Sequence, residues 1–397
     1  MGTITQNASF ADTRPHYEIL DGLRGVAALA VVWYHVFEGF AFAGGEAIIK
    51  GINHGYLAVD FFFILSGFVI SYAYDGRWAG RKPKDNDAVP GKLTLKSFFL
   101  RRIIRLHPMV IIGAVTGAVT FLLQGSEQWD GTHTSTSMVM LALLAAMFMI
   151  PAVPGAPREV RGNGEMFPLN GPAWSLFFEY IGNILYAFII RRLPTKSLAV
   201  VTAALGIGLG AFAVLDVSGY GSIGVGWTLD CVNFTGGLLR MLFPFSMGML
   251  LARTFRPRKI RGAFWLCSAA LLVLFLVPFI GGKCCTGTVS LNGIFEIACI
   301  TLVFPAIVMA GASGSLTDTF SSKACRFLGD ISYPLYMIHY PFMYLFYSWM
   351  IKTGVHTFAG TWPVVLCLFA WVVLFAWLCM KFIEIPVRKR LGKMLVK

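Results

Sequence analysis

Ionisable side chains lie inside several apolar stretches of this chain. They are His35, Asp60, Glu179, Arg240, Glu296 and His339. A titratable group inside an apolar span is costly to bury and is therefore a candidate functional residue. An imidazole that is neutral at physiological pH can act as a general base, and a neighbouring carboxylate can fix its tautomer. These residues have the chemistry of acid–base catalysis, or of a polar pathway through a membrane.

His35 is the best candidate for the base. It lies eleven residues after Arg24, so the helical rise places it roughly 16 Å into the first apolar span. Asp60 and Glu179 are predicted to enter their spans from the outer side and to reach a similar layer. Either carboxylate could orient His35, and the sequence does not choose between them.

A second group of candidates is basic. The segment 98–108 reads FFLRRIIRLHP, in which Arg102 and Arg105 share one helical face. Arginine guanidinium groups suit phosphate binding. Nine Lys and Arg residues lie between Arg77 and Arg105, which predicts a polyanionic cytosolic ligand. An ordinary positive-inside flank, or a contact with anionic lipid, is the simpler alternative for any single arginine.

The composition requires membrane helices to position these residues. The 397 residues are 56% hydrophobic and 13% charged, with a net charge of +13 and a mean hydropathy of +0.68. Soluble chains are about 25% charged, so this composition excludes a disordered chain, a nucleic-acid-binding domain and a compact soluble enzyme. It predicts an all-α polytopic membrane helical bundle with about ten transmembrane helices. The predicted spans are 24–43, 56–75, 106–124, 172–190, 197–215, 235–252, 263–281, 291–311, 331–350 and 362–381.

The basic residues predict the orientation. Counted by loop, 27 of the 33 Lys and Arg residues fall on one side of these ten spans, and loops rich in Lys and Arg stay in the cytoplasm. Both termini are therefore predicted to be cytoplasmic, in a bacterial plasma (inner) membrane. The apolar run 138–150 is short and is predicted to be re-entrant from the outer side. A true eleventh span, with an external C-terminus, is the alternative.

Residues 1–18 lack the features of a signal peptide. They are predicted to form a cytoplasmic tail, followed by one membrane-embedded domain at 19–385 and a basic cytoplasmic tail at 386–397.

Several segments resemble, in order, the motifs of the acyltransferase-3 family of integral membrane acyltransferases. The first resembles the family's Arg-x10-His motif, with Arg24 and His35 as its ends. The segments are LDGLRGVAALAVVWYH at 20–35, VDFFFILSGFVIS at 59–71, LRRIIRLHP at 100–108, NGPAWSLFFEYIGNILY at 170–186, GDISYPLYMIHYPF at 329–342 and EIPVRKRL at 384–391. The resemblance covers nearly the whole chain. It implies the stand-alone form of the family, without a fused hydrolase-like domain.

The resemblance implies transfer of an acyl group, most often acetyl, from cytoplasmic acyl-CoA to a hydroxyl of a carbohydrate or other small-molecule acceptor, without a metal. His35 would be the general base, oriented by Asp60 or Glu179. The predicted acyl-CoA ligands are Arg24, Arg102 and Arg105, and the predicted acceptor-binding residues are Trp174, Tyr333 and His339.

Other interpretations stay open. Direct transfer and an acyl-enzyme route are both possible, with Ser66 and Ser175 as the possible nucleophiles. A transporter or flippase of an envelope precursor would also need polar residues at membrane depth. A non-catalytic partner in envelope-polymer assembly is a third reading. Cys231 is a candidate for a disulfide with Cys284 or Cys285 on the oxidising outer side.

Overall fold

The computed structural model describes residues 17–43, 54–78, 93–281, 287–316 and 318–395. These residues form eleven continuous helices and one pair of two-residue parallel strands, Ile260–Arg261 and Gly314–Ser315. The helices are α1 (Glu18–Phe42), α2 (Gly55–Tyr74), α3 (Leu95–Leu123), α4 (Thr136–Met147), α5 (Ala173–Arg192), α6 (Thr195–Val214), α7 (Cys231–Thr254), α8 (Ala263–Leu276), α9 (Leu291–Ser313), α10 (Thr319–Thr353) and α11 (Phe358–Leu395).

Eight of the described helices are long and apolar enough to cross a membrane, so the chain is a polytopic helical membrane protein. The helix α10 has 35 residues and is long enough to cross a membrane. It is not among the eight because polar residues in its first half lower its mean hydropathy. The helix α4 has only 12 residues, or roughly 18 Å, which agrees with a run too short to span the bilayer core.

The helix α8 is shorter than the span predicted at 263–281. It ends at Leu276 because the next residue, Val277, precedes Pro278. A residue before proline avoids the helical conformation, and Val277 has an extended ψ of 129°. At the other end of the chain, α11 continues unbroken to Leu395, so the basic segment predicted as a separate tail at 386–397 is, as far as Leu395, part of this helix.

The helices α1, α3 and α10 run in the same direction. Gly25 of α1 lies against Leu328 of α10, and Gly39 lies against Tyr347 further along both helices. Gly113 of α3 likewise lies against Met337 of α10. We call the end at which these three helices begin the inner end of the bundle, and the opposite end the outer end.

Glycines allow the closest helix pairs to form. A Cβ atom on Gly67 of α2 would lie 1.9 Å from the Phe245 carbonyl oxygen of α7, and one on Gly248 would lie 2.0 Å from the Ile64 oxygen. A Cβ atom on Gly25 would similarly lie 2.2 Å from the Leu328 oxygen. Small residues of this kind let membrane helices approach to backbone contact. The α1–α10 contact brings the first and last quarters of the chain together.

Candidate active site

Three polar residues of α1 share one face of the helix. His35 lies eleven positions after Arg24, a rotation of three full helical turns and about 20° more. Glu38 follows His35 by three residues, a spacing at which helical side chains meet. The face therefore carries Arg24 near the inner end, with His35 and Glu38 towards the outer end.

His35 is held by Glu38. The His35 Nδ1–H donates a hydrogen bond of 2.6 Å to Glu38 Oε2, which leaves the Nε2 lone pair available as a base. The hydroxyl groups of Tyr340 and Tyr347 donate to the same carboxylate oxygen, at 3.1 and 3.3 Å. The carboxylate bonded to His35 is therefore Glu38, and not Asp60 or Glu179 as the sequence predicted.

Asp60 forms a buried ion pair instead. Arg240 Nε donates to Asp60 Oδ1 at 3.1 Å, and Nη2 donates to Oδ2 at 2.7 Å. Both side chains are at most 1% exposed. The remaining Arg240 donors bind the Val225 and Tyr56 carbonyl oxygens. With both carboxylate oxygens bound to arginine, Asp60 ties α2 to α7 and does not orient His35.

Glu179 also has an arginine partner, and it lies nearer the inner end than expected. Arg102 Nη2 donates to Glu179 Oε1 at 2.7 Å, and Ser66 Oγ donates to the same oxygen at 2.8 Å. Arg102 follows the start of α3 at Leu95 by only two turns. The chain before α5 folds into the bundle, so α5 starts at depth and carries Glu179 to the inner half.

A second imidazole lies beside His35. The ring centroids of His35 and His339 are 5.2 Å apart. His339 Nδ1–H donates to the Leu335 carbonyl oxygen at 3.0 Å, and the buried Nε2 has no hydrogen-bond partner among the described residues. Each imidazole therefore has its Nδ1–H in a hydrogen bond, which leaves Nε2 as the basic nitrogen of each ring.

A cavity of about 660 Å³ opens between α1, α2, α3, α5, α10 and α11 on the inner side of this region. It brings together the three arginines that were predicted to bind acyl-CoA, Arg24, Arg102 and Arg105, and also Tyr333. Two further arginines in its lining, Arg326 and Arg388, were not among the predicted ligands. Arg326 was visible only as one of many inner basic residues, because nothing in the sequence links it to α3.

The five arginines differ in their partners. Arg24 pairs with Asp21 at 2.7 Å, Arg102 with Glu179 at 2.7 Å, and Arg388 with Glu384 at 2.9 Å. Among the described residues, Arg105 and Arg326 make no ion pair, and they are the lining cations left for an anionic ligand.

We call the part of the cavity at Ser175 and Tyr336 its deep end; it lies beside His339, although neither histidine lines the cavity. Ser175 and Tyr336 line it and hydrogen-bond to each other at 2.7 Å between their hydroxyl oxygens. The Tyr336 ring lies 6.0 Å from the His339 ring, centroid to centroid. A ligand with an anionic head near Arg105 and Arg326 would therefore extend its other end towards His339 and His35.

The other two predicted acceptor residues, Trp174 and Tyr333, make their described contacts with groups other than the histidines. Trp174 packs on Gly226 and lies 5.3 Å from the Arg240 guanidinium carbon, and it does not line the cavity. Tyr333 lines the cavity, but its hydroxyl donates to the Leu106 carbonyl oxygen at 2.5 Å.

On the outer side, aromatic and charged residues follow the Glu38 cluster. Tyr344 donates to Glu165, and the Arg161 guanidinium carbon lies 3.5 Å from the centre of the Tyr344 ring. Glu165 belongs to the loop before α5. Burial raises the pKa of Glu165 to about 7, and the Tyr344 hydrogen bond and the Arg161 charge oppose that rise.

Two predictions lie partly outside the described part of the chain. Cys231 is exposed at the start of α7, but its proposed partners Cys284 and Cys285 are not among the described residues, and neither are residues 1–16 of the predicted tail. Within the described residues, no three His, Cys, Asp or Glu side chains are grouped so that they could hold a metal ion.

Comparison with known proteins gives one family. The family model described as "Acyltransferase domain" matches residues 17–381. The acyltransferase MdmB of Streptomyces mycarofaciens is 26% identical over 405 residues, which cover 94% of this chain and 92% of MdmB. A Staphylococcus aureus protein provisionally named an O-acetyltransferase is 25% identical over 93% of this chain, which spans 57% of that protein.

A shorter relative is more similar over part of the chain. The protein designated "Protein 2 in picA locus" of Rhizobium radiobacter is 34% identical over 192 residues, which cover 47% of this chain and 88% of that protein. No solved structure matches this chain.

Proposed function

Because the chain belongs to the acyltransferase-3 family of integral membrane O-acyltransferases, we propose that it transfers an acyl group, most simply acetyl, from acyl-CoA to a hydroxyl group of a carbohydrate or other small molecule. The proposal depends on one observation above all. His35 is held by Glu38 through Nδ1 and lies beside His339, whose ring adjoins that of Tyr336 in the cavity lining. The same cavity is lined by Arg105 and Arg326, which make no ion pair among the described residues.

The cavity fits an acyl-CoA donor. Its volume of about 660 Å³ is within the range of small-molecule sites, roughly 300–1,000 Å³. CoA carries several phosphate groups, and guanidinium groups bind phosphate through charge-assisted hydrogen bonds. We assign the phosphates to Arg105 and Arg326, which make no ion pair within the described part of the chain. Arg24 and Arg102 line the same cavity, where Asp21 and Glu179 hold them in position.

We propose that the inner end of the bundle faces the cytoplasm of a bacterial cell, with both termini on that side of the plasma membrane. The Lys and Arg distribution supports this orientation, and it places the mouth of the cavity where acyl-CoA is available. The acceptor would then approach from the outer end, past the tyrosines that surround Glu38.

The chemistry needs one base. His35 Nε2 takes the proton of the acceptor hydroxyl as the hydroxyl oxygen attacks the thioester carbon. The carbon–sulfur bond then breaks, and the proton on His35 passes to the leaving thiolate. Glu38 keeps the Nδ1–H tautomer and stabilises the imidazolium, as a carboxylate does in other base–orienter pairs.

Direct transfer is favoured over an acyl-enzyme. The Ser66 hydroxyl donates to Glu179, and Ser175 is bonded to Tyr336 and to the Pro172 carbonyl oxygen. Neither serine has a hydrogen bond to a histidine within the described residues, so neither has a base that would activate it.

Substitution of the base and its partner tests this function. In purified protein with labelled acetyl-CoA and candidate acceptors, His35→Ala should lower kcat by about 10²- to 10⁴-fold, the usual contribution of a general base. Glu38→Gln should also lower kcat, but less, because the imidazole remains. His133→Ala, at an exposed loop histidine, is the matched control and should transfer like the wild type.

The activity of each variant is interpreted only together with a measurement of its folding. Each variant should retain the wild-type thermal midpoint in detergent, so that a lost rate reflects chemistry. An activity of His35→Ala within tenfold of the wild type would contradict the assignment of the base. Absence of acyl transfer by the wild type, with any donor and acceptor, would contradict the proposed function itself.

A further inference from the structure

Attack on a thioester places negative charge on the carbonyl oxygen, and such an oxyanion needs a positioned hydrogen-bond donor. We propose that Tyr336 is this donor and that Ser175 holds its hydroxyl in place. The proposal rests on the proposed function and adds a catalytic group to that reaction. Ser175 and Tyr336 lie in the motif segments 170–186 and 329–342, but the family resemblance assigns neither of them to the oxyanion.

Tyr336 lies at the junction of the donor cavity and the histidine pair. Its hydroxyl is 2.7 Å from Ser175 Oγ, and both side chains line the cavity. Its ring lies 6.0 Å from the ring of His339, which lies 5.2 Å from that of His35. The ring also contacts Phe62 edge-on at 5.4 Å. These contacts leave the tyrosine side chain one position, with its oxygen at the deep end of the cavity.

The other hydroxyl groups that line the cavity have stronger acceptors. Ser66 donates to the Glu179 carboxylate. Ser332 donates to the Gly329 carbonyl oxygen at 2.7 Å, and Tyr333 donates to that of Leu106 at 2.5 Å. Turning such a hydroxyl away from its carboxylate or carbonyl acceptor is costly, because the buried acceptor would lose its hydrogen bond.

The Tyr336 proton has a weaker acceptor. Ser175 Oγ donates to the Pro172 carbonyl oxygen at 3.0 Å and so accepts from Tyr336. The alternative carbonyl for Tyr336, that of Pro172, is 3.4 Å away. A thioester oxygen that becomes negative is a better acceptor than a neutral hydroxyl. The Tyr336 hydrogen bond to it would therefore strengthen towards the transition state, which is the condition for catalysis.

Arg102 is the competing donor, since its buried Nε has no partner among the described residues. Arg102 is bonded to Glu179, which follows Ser175 in α5 by four residues, or roughly 6 Å towards the inner end. Arg102 therefore lies a turn further from the histidines than Tyr336 does, and it faces the body of the donor.

In the complete step, the acceptor O–H bond breaks and its proton goes to His35 Nε2. The acceptor oxygen bonds to the thioester carbon, and the carbonyl electron pair moves to the oxygen, where the Tyr336 hydroxyl donates. The carbonyl then re-forms as the carbon–sulfur bond breaks, and the thiolate takes the proton from His35. No oxidant, metal or further reactant is required.

Tyr336→Phe tests this assignment, because it removes only the hydroxyl oxygen. We expect kcat to fall about 10²- to 10³-fold, the usual loss for one oxyanion donor. The KM for acetyl-CoA and the inhibition constant of free CoA should stay within about threefold, since the ground-state contacts remain. Tyr186→Phe is the matched control. It removes another buried hydroxyl, bonded to Asp75 outside the cavity, and should leave kcat near the wild-type value.

Ser175→Ala is a second variant, which tests the proposal even if Tyr336→Phe does not fold. Loss of the Ser175 oxygen frees the Tyr336 hydroxyl, so kcat should fall about fivefold, the equivalent of one neutral hydrogen bond, with the CoA inhibition constant unchanged. A folded Tyr336→Phe with wild-type kcat, or a Ser175→Ala that changes only CoA binding, would overturn the assignment. Wild-type transfer and its loss in His35→Ala would still stand, so the two proposals fail separately.

Discussion

At the level of single residues, the carboxylates of this protein divide into those that hold a base and those that hold an arginine. Glu38 lies one helical turn from His35 on the same face, and it accepts from His35 and two tyrosines. Asp60 and Glu179 each bind a guanidinium group on another helix. The spacing H-x-x-E was readable in the sequence, whereas the partner of Asp60, 180 residues away, was not.

The unpaired arginines make a prediction at the same scale. Arg105→Gln or Arg326→Gln should raise the KM for acetyl-CoA about tenfold, because each removes one charge-assisted contact to phosphate, with kcat nearly unchanged. The effect should shrink in high salt. Lys259→Gln removes one exposed charge outside the cavity and should leave the KM unchanged. An equal effect of all three variants would indicate a general surface charge instead of a donor site.

At the level of helices, close packing sets the geometry of the site. The α1–α10 pair runs in parallel, so that residues at matching depth, Arg24 with Ser332 and His35 with His339, contact one another. The α2–α7 pair is equally close and contains the Asp60–Arg240 ion pair. The α11 helix brings Glu384 and Arg388 to the cavity from the far end of the chain.

The glycine contacts can be tested directly. Gly67→Ala should lower the free energy of unfolding by about 1–3 kcal/mol, as expected for overpacking, because its Cβ would lie 1.9 Å from the Phe245 oxygen. Gly208→Ala places a Cβ at 3.5 Å from Leu239 and improves helix propensity, so it should be tolerated. Thermal unfolding in detergent measures both variants. A Gly67→Ala protein as stable as the wild type would show that α2 and α7 can separate without cost.

At the level of the whole molecule, the inner end carries the cavity and the outer end carries the Tyr–Glu cluster. Under the proposed function, this arrangement would give the donor and the acceptor separate approaches to His35. It also means that the proposed reaction is vectorial, because the acyl group would enter from one side of the membrane and leave on the other.

The proposed orientation makes the last prediction. In a Cys284→Ser/Cys285→Ser background, a membrane-impermeant maleimide should label Cys231, which is exposed at the outer end, on intact cells. Replacement of Cys231 by serine in that background should abolish the label. A cysteine introduced by Lys323→Cys at the inner end should react only after permeabilisation. The opposite pattern would invert the orientation and place the cavity outside the cell.

The sequence by itself determined the class of fold and the family, because these depend on local apolar runs and on ordered motifs. It also identified His35 and its alignment with Arg24, since residues eleven apart on one helix must share a face. Only the tertiary structure decided the long-range partners: Arg240 for Asp60 and Arg102 for Glu179. It also brought Arg326 into the same cavity lining as Arg105. Buried charges pair with whichever groups the neighbouring helices bring within a few ångströms, and those neighbours are distant in sequence.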